Sequence, residues 1–223
     1  MKSKILVCIV NHNLNDSARI LRDKFSQDFD TIVLDSGSPE KDQSFILLDN
    51  IYYSGLFNAA VEYTERMKKT WLFFICSDIT IEDDEYWKFC RRVENEKDFN
   101  QIGVYSPSSF GRSHHFCKNK GTRNFRDVPM VEGFIFMARI DILRKMYPVN
   151  LKINYLGWGL DAMKGFVCHS MKLRCVIDDL ISVYHPSESG YNGSDAMDQM
   201  KKYIESIGID FKNYVRKEVG FKI

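Results

Sequence analysis

Three apolar runs in this chain end in residues that could do chemistry. KILVCIV (4–10) leads into Asn11-His12-Asn13, TIVL (31–34) into Asp35-Ser36, and WLFFIC (71–76) into Ser77-Asp78. A carboxylate at a strand end is a hard oxygen ligand for a divalent cation. Amide, hydroxyl and carboxylate groups there are hydrogen-bonding partners for a base or ribose. Further on, Asp161 follows the turn Gly157-Trp158-Gly159-Leu160, and His185 stands before Pro186 at the end of another apolar run. A carboxylate in a partly closed pocket can take the proton of an attacking hydroxyl. Trp158 beside it could stack on the apolar face of a sugar, and an imidazole adds a nitrogen ligand that tilts a metal site toward Mn²⁺.

Each of these residues also has an ordinary structural reading. Asp78 could simply close a turn, and Asp35 could head an Asx turn in Asp-Ser-Gly-Ser. Asp161 could be a first-turn helix acid beside a core tryptophan, and His185 a plain strand-end histidine. Glu82, Asp83, Asp84 and Glu85 read as the acidic first turn of a helix, and His169 as a helix-surface residue without a role.

The elements around these residues tip the balance for Asp78, whereas Asp35 stays even and His185 keeps its structural reading on the residues alone. Strands are expected at 4–10, 30–35 and 70–78, with a further short one within 46–54. Helices are expected at 15–27 (Ile20, Leu21, Lys24 and Phe25 at helical spacing), 54–69 (Leu56, Ala60, Tyr63 and Met67) and 83–96 (Trp87, Cys90 and Val93). Alternation of strand and helix predicts a mainly parallel sheet covered on both faces. In such a sheet ligands bind beyond the carboxyl ends of the strands, so the three polar strand ends share one crevice.

The second half is less regular. A strand over 102–108 precedes a polar, basic loop over 108–128 carrying Arg112, His114, His115, Lys118, Lys120, Arg123 and Arg126. That loop either steers an anionic ligand or is simply solvated. A strand running into a helix follows at 132–146, a turn and helix at 157–171, and one or two strands at 173–186. A last helix over 194–208 is expected to be capped by Ser194 and ended by Gly208. The packing of the tail, 209–223, is not legible.

Composition narrows the function classes. The 223 residues are 44% hydrophobic and 27% charged with net charge +1, which suits one domain and gives no global field for nucleic acid or anionic membrane. No apolar run approaches the roughly 20 residues of a membrane helix, and the N-terminus reads as a strand, so a cytoplasmic chain is expected. Cys8, Cys76, Cys90, Cys117, Cys168 and Cys175 form no C-x-x-C pair and fit buried free thiols in a reducing compartment. There is no G-x-x-x-x-G-K-[ST] and no G-x-G-x-x-G after the first strand. Phosphates bound here would have no glycine cradle, and a carboxylate-held metal is the substitute.

Taken in order, these segments resemble the GT-A-fold glycosyltransferases, especially the large inverting group of family 2, over about residues 4–186. ILVCIVNHN is similar to their opening strand and its Asn turn, with Asn11 and Asn13 on the donor side. TIVLDSGSPE is similar to the strand whose aspartate contacts the base, here Asp35. NIYYSGLFNAA resembles the segment that would place Gly55 and Asn58 beside the donor. WLFFICSDITI matches the Asp-x-Asp strand, but with Cys76-Ser77-Asp78 in place of the motif. Only its last aspartate remains, as in many rhamnosyltransferase-like members. VEGFIFMARIDIL, with Glu132, resembles the acceptor side, GWGLD the general-base motif with Asp161 as its single acid, and ISVYHP the strand whose histidine completes the metal site.

The resemblance implies a GT-A fold, a mixed, mainly parallel sheet between helices, in one domain over 1–223. The nucleotide-binding part would span about 1–106 and the acceptor side about 107–223. It implies Mn²⁺ or Mg²⁺ held by Asp78 and His185, and a nucleotide-sugar donor, UDP-linked first of all, bound through Asn11, Asn13, Asp35, Gly55, Asn58 and Ser77. The acceptor, a glycan or glycoprotein hydroxyl, would meet Trp158 and Glu132. A sugar nucleotidyltransferase, which usually has a Gly-rich basic N-terminal loop, and a non-catalytic sugar- or nucleotide-binding module are the rival classes.

Overall fold

In the computed structural model, which describes residues 1–186 and 192–221, eight strands build one sheet. They are β1 (Ile5–Asn11), β2 (Asp30–Ser36), β3 (Ile46–Leu48), β4 (Trp71–Cys76), β5 (Ile102–Gly111), β6 (Phe125–Asp127), β7 (Ile135–Arg139) and β8 (Arg174–His185). Their spatial order is β3-β2-β1-β4-β7-β5-β8-β6. The first four run parallel, and β7 enters antiparallel between β4 and β5. β8 is parallel to β5, and β6 closes the edge antiparallel to β8. The helices are α1 (Asn15–Phe25), α2 (Tyr52–Arg66), α3 (Asp83–Glu94), α4 (Ile140–Leu143), α5 (Leu160–Ser170), α6 (Gly193–Ile207) and α7 (Ile209–Tyr214).

The apolar runs are uninterrupted because both sheet faces are covered. In β1, Ile5, Val7 and Ile9 pack with Leu21, Phe25 and Phe89 of α1 and α3. Cys8 and Val10 point the other way, into a core with Phe57, Leu160, Met200 and Phe211. β4 splits likewise, with Phe73 on one side and Phe74 on the other. Side chains alternate with period two, so a strand buried on both faces needs an apolar residue at every position. Fully burying each of these side chains is worth about 1.5–3 kcal/mol over leaving it exposed.

Several element readings need correction. The third strand is only Ile46–Leu48, and α2 begins at Tyr52. The buried face of α3 is Tyr86, Phe89, Cys90 and Val93, whereas Trp87 is 48% exposed; the spacing i, i+3, i+4, i+7 outweighs a strict three-residue step. Ile20 likewise faces solvent on α1. The basic stretch over 108–128 gives its first residues to β5 and its last to β6. Asn192 rather than Ser194 caps α6, its side chain accepting from the Ser194 amide, while Gly208 does end the helix. The tail joins the core through Phe211, Val215 and Val219.

The β5–β8 pairing breaks where the partner of Pro107 is Asp178 and that of Ser108 is Ser182. The extra residues 179–181 form a bulge. Buried carboxylates pin it. Asp178 takes a two-pronged bond from Arg92 (2.8 and 3.0 Å) and one from the Tyr105 hydroxyl (3.3 Å). Asp179 takes Arg126 (3.2 Å) and Thr122 (2.9 Å). Beyond the bulge, β5 and β8 continue to Gly111 and His185.

Candidate active site

The register of β1 puts Asn11 beside Asp35, and Val10 beside Cys76 at the end of β4. The three strand ends are wired together. Asn11 Nδ2 donates to Asp35 Oδ1 at 2.7 Å, and Ser77 Oγ donates to Asn11 Oδ1 at 2.8 Å. Asp35 is buried and also accepts from the Ser38 amide and hydroxyl three residues on, so its carboxylate closes the turn that follows β2. Asn13 is left-handed (φ 64°), and its amide donates to Ser38 Oγ. Asn13, Ser38 and the first turn of α1 line a depression of 490 Å³ on this side. Gly55 packs inside α2 against Ile51, and Asn58 clamps Val149 by its amide (2.9 Å) and carbonyl (3.0 Å). Neither lines a described pocket.

Asp78 lies in the turn after β4. Thr80 and Tyr184 exchange two backbone hydrogen bonds of 3.0 Å, which tie this turn to the end of β8. That pairing carries His185 Nε2 to 3.6 Å from Asp78 Oδ2. Gly111 makes the approach of the β5 end feasible. Its φ is +89°, and a Cβ there would sit 2.0 Å from the His185 carbonyl oxygen. The imidazole is fixed twice, stacked on Phe134 (4.1 Å, 11°) and with Nδ1 2.6 Å from the Arg112 carbonyl oxygen. A carbonyl only accepts, so Nδ1 carries the proton, and in the neutral ring Nε2 keeps its lone pair toward Asp78. Burial alone would lower the His185 pKa; Asp78, the Arg112 carbonyl and Glu132 outweigh it and raise the pKa.

Asp78 Oδ1 is buried without a hydrogen-bond partner. A buried carboxylate oxygen left open is costly. A carboxylate with one open oxygen, its other oxygen 3.6 Å from an imidazole nitrogen, is a donor set that fits Mn²⁺ or Mg²⁺ completed by oxygens from elsewhere. Among the described residues no group of three or more His, Cys, Asp and Glu side chains forms a complete metal site.

Asp161 sits in the first turn of α5, after a glycine-shaped turn. Gly157 (φ 82°) and Gly159 (φ 92°) are left-handed. The buried Asn154 holds the turn, accepting from the Gly157 amide and donating to the Trp158 carbonyl, both at 2.9 Å. Gln199 of α6 accepts from the Tyr155 and Leu156 amides at 3.0 Å. Tyr53 lies where a Gly157 side chain would be, and its hydroxyl donates to the Gly133 carbonyl at 2.8 Å. Burial raises the pKa of Asp161, and Lys164, with Nζ 3.2 Å from Oδ1, partly opposes the rise. Glu132 is also raised by burial, against hydrogen bonds from Ser113 Oγ (2.5 Å) and the His114 amide (2.9 Å).

One pocket of 380 Å³ collects Asp78, Glu132, Trp158, Asp161 and His185, together with Arg112 and His114 from the basic loop. Arg126 of that loop is instead spent on Asp179, and Lys118, Lys120 and Arg123 are exposed. Sequence reasoning missed Tyr53, Phe134, Asn154 and Lys164. Only the glycines at 133, 157 and 159 signalled a close approach. All six cysteines are free, and five of them are buried.

No protein-family model and no curated protein matches the sequence. Among solved structures, the chain is similar to GalNAc-T7, crystallised with UDP, GalNAc and Mn²⁺. The TM-score is 0.66 at 10% identity, over 96% of this chain and 50% of that one. The chain thus spans about half the length of that protein. A looser likeness, TM-score 0.47 at 13% identity over 83% of this chain and 86% of the other, is to A197 from STIV. The fold is GT-A, a mixed sheet flanked by helices.

Proposed function

We propose that the protein is a metal-dependent glycosyltransferase that moves a hexose or rhamnose from a UDP- or other nucleotide-diphosphate sugar to a glycan hydroxyl, with inversion. The observation that carries this reading is the open, buried Oδ1 of Asp78, beside His185 and in one pocket with Asp161. The UDP, GalNAc and Mn²⁺ in the similar GalNAc-T7 structure support a nucleotide-sugar donor and a divalent cation.

In this reading Asp78 Oδ1 and His185 Nε2 hold Mn²⁺ or Mg²⁺, and the Arg112 carbonyl keeps the imidazole in its ligating tautomer. The cation, when bound, neutralises charge on the departing diphosphate. Asn11, Asn13, Asp35 and Ser77 shape the nucleoside side, with Gly55 and Asn58 packing α2 behind it. Trp158 stacks on the acceptor sugar and Glu132 accepts a hydrogen bond from it. Asp161 takes the proton of the attacking hydroxyl at a carboxylate oxygen. Its raised pKa brings its proton affinity closer to working pH, and ionisation requires a pH above that value. A panel of UDP-, GDP- and dTDP-sugars with glycan acceptors, with and without Mn²⁺, tests the reading. Metal-dependent release of nucleoside diphosphate is expected from one donor. No release, together with no nucleotide binding in calorimetry, would refute it.

A further inference from the structure

Lys164 has no solvent exposure at all, yet it lies one turn along α5 from the partly exposed Asp161. Lysine is almost never fully buried unless paired. Its Nζ is 3.2 Å from Asp161 Oδ1 and 4.1 Å from the centre of the Phe136 ring, which itself stacks on Phe74 (5.2 Å, 16°). The ammonium therefore sits under the pocket floor between an aromatic face and one oxygen of a pocket carboxylate. An ordinary α5 would carry an apolar residue at this core-facing position, as it does at Ala162, Met163, Val167 and Cys168.

We propose that Lys164 is a positioning residue for Asp161: its buried ammonium pins Oδ1 and so presents the other carboxylate oxygen to the pocket. The inference rests on the reading of Asp161 as the base. The groups around the carboxylate make the role specific. Glu132 faces it from the link between β6 and β7, Cys76 from the end of β4, and Cys117 from the basic loop. Glu132 as a carboxylate, and either thiol as a thiolate, would oppose its ionisation. Lys164 is the cation in hydrogen-bond contact with it. Burial and the cation push in opposite directions, so removing the cation leaves burial unopposed.

The test follows the Asp161 carboxyl by carbon NMR in the metal-free, aspartate-labelled full chain, assigned with Asp161→Asn. Lys164→Met should raise its titration midpoint by about one pH unit or more, a tenfold change in proton affinity. Lys164→Arg should restore it. The acidic limb of donor turnover should move up by the same interval, with kcat affected more than KM. If Lys164→Met does not fold, Lys164→Gln removes the charge while keeping a polar head. An unmoved midpoint in either folded variant overturns the proposal. Failure of the wild type to bind or turn over any nucleotide sugar would sink the transferase reading instead, and the carboxyl titration would still report on Lys164.

Discussion

At the residue scale, the site is a set of groups whose surroundings make them costly or unusual. Asp78→Ala should abolish metal-dependent turnover and lower Mn²⁺ affinity at least tenfold in a direct titration, because it removes the open carboxylate oxygen. Unchanged Mn²⁺ binding would rule Asp78 out as a ligand. Asp161→Asn should keep nucleotide binding but lose transfer by a factor of about 10²–10⁴, the usual contribution of a positioned base. Wild-type rates would remove that role. Glu132 gives a stability prediction. Its folded pKa is raised, so its charged form is disfavoured by the fold, and the wild type gains stability as pH falls through that raised value. Glu132→Gln keeps an acceptor for Ser113 and the His114 amide. It should melt higher than wild type near pH 7, with the difference shrinking toward pH 4. A gap that widened on acidification would contradict the sign. Asp78 and Asp161 were legible in sequence because each ends an apolar run or a glycine turn. Lys164 was not, because a lysine on an amphipathic helix reads as solvent-facing until the packing shows what lies above it.

At the element scale, the strand ends and turns place these groups, and glycine is needed where two backbones meet. Gly111→Ala adds a methyl 2.0 Å from the His185 carbonyl at a left-handed φ. It should separate β5 from β8 and weaken Mn²⁺ binding along with stability, read by titration and melting together. Loss of stability with unchanged Mn²⁺ affinity would show that the pairing does not set the position of His185. Arg92→Met leaves Asp178 buried without its main partner, which should cost on the order of 3–5 kcal/mol in urea unfolding. A cost under about 1 kcal/mol would mean that the bulge is held by other contacts. The sequence pattern revealed β1, β2 and β4 well, since apolar residues at every position leave few alternatives. It missed the bulge at 179–181 and edge strand β6, because their stability comes from Arg92, Arg126 and Thr122 reaching across from other elements.

At the scale of the whole molecule, strand–helix alternation in the first half was enough to indicate a parallel sheet covered on both faces. The antiparallel insertion of β7 between β4 and β5 is a long-range choice that no local periodicity records, and it is what brings Phe134 and Glu132 to the pocket formed with Asp78. Among the described residues, no helix is long and apolar enough to cross a membrane. The backbone bridge between Thr80 and Tyr184 brings the turn after β4 to the end of β8, although β7 and β5 lie between the two strands and their ends are about a hundred residues apart, so the proposed metal site exists only in the folded chain. The most direct test is nucleoside diphosphate release from UDP-sugars by wild type and Asp78→Ala, each with Mn²⁺ and with chelator. The expected result is release by the wild type with Mn²⁺ alone, and none by Asp78→Ala under either condition. Equal release with Mn²⁺ and with chelator, or release undiminished in Asp78→Ala, would contradict the account.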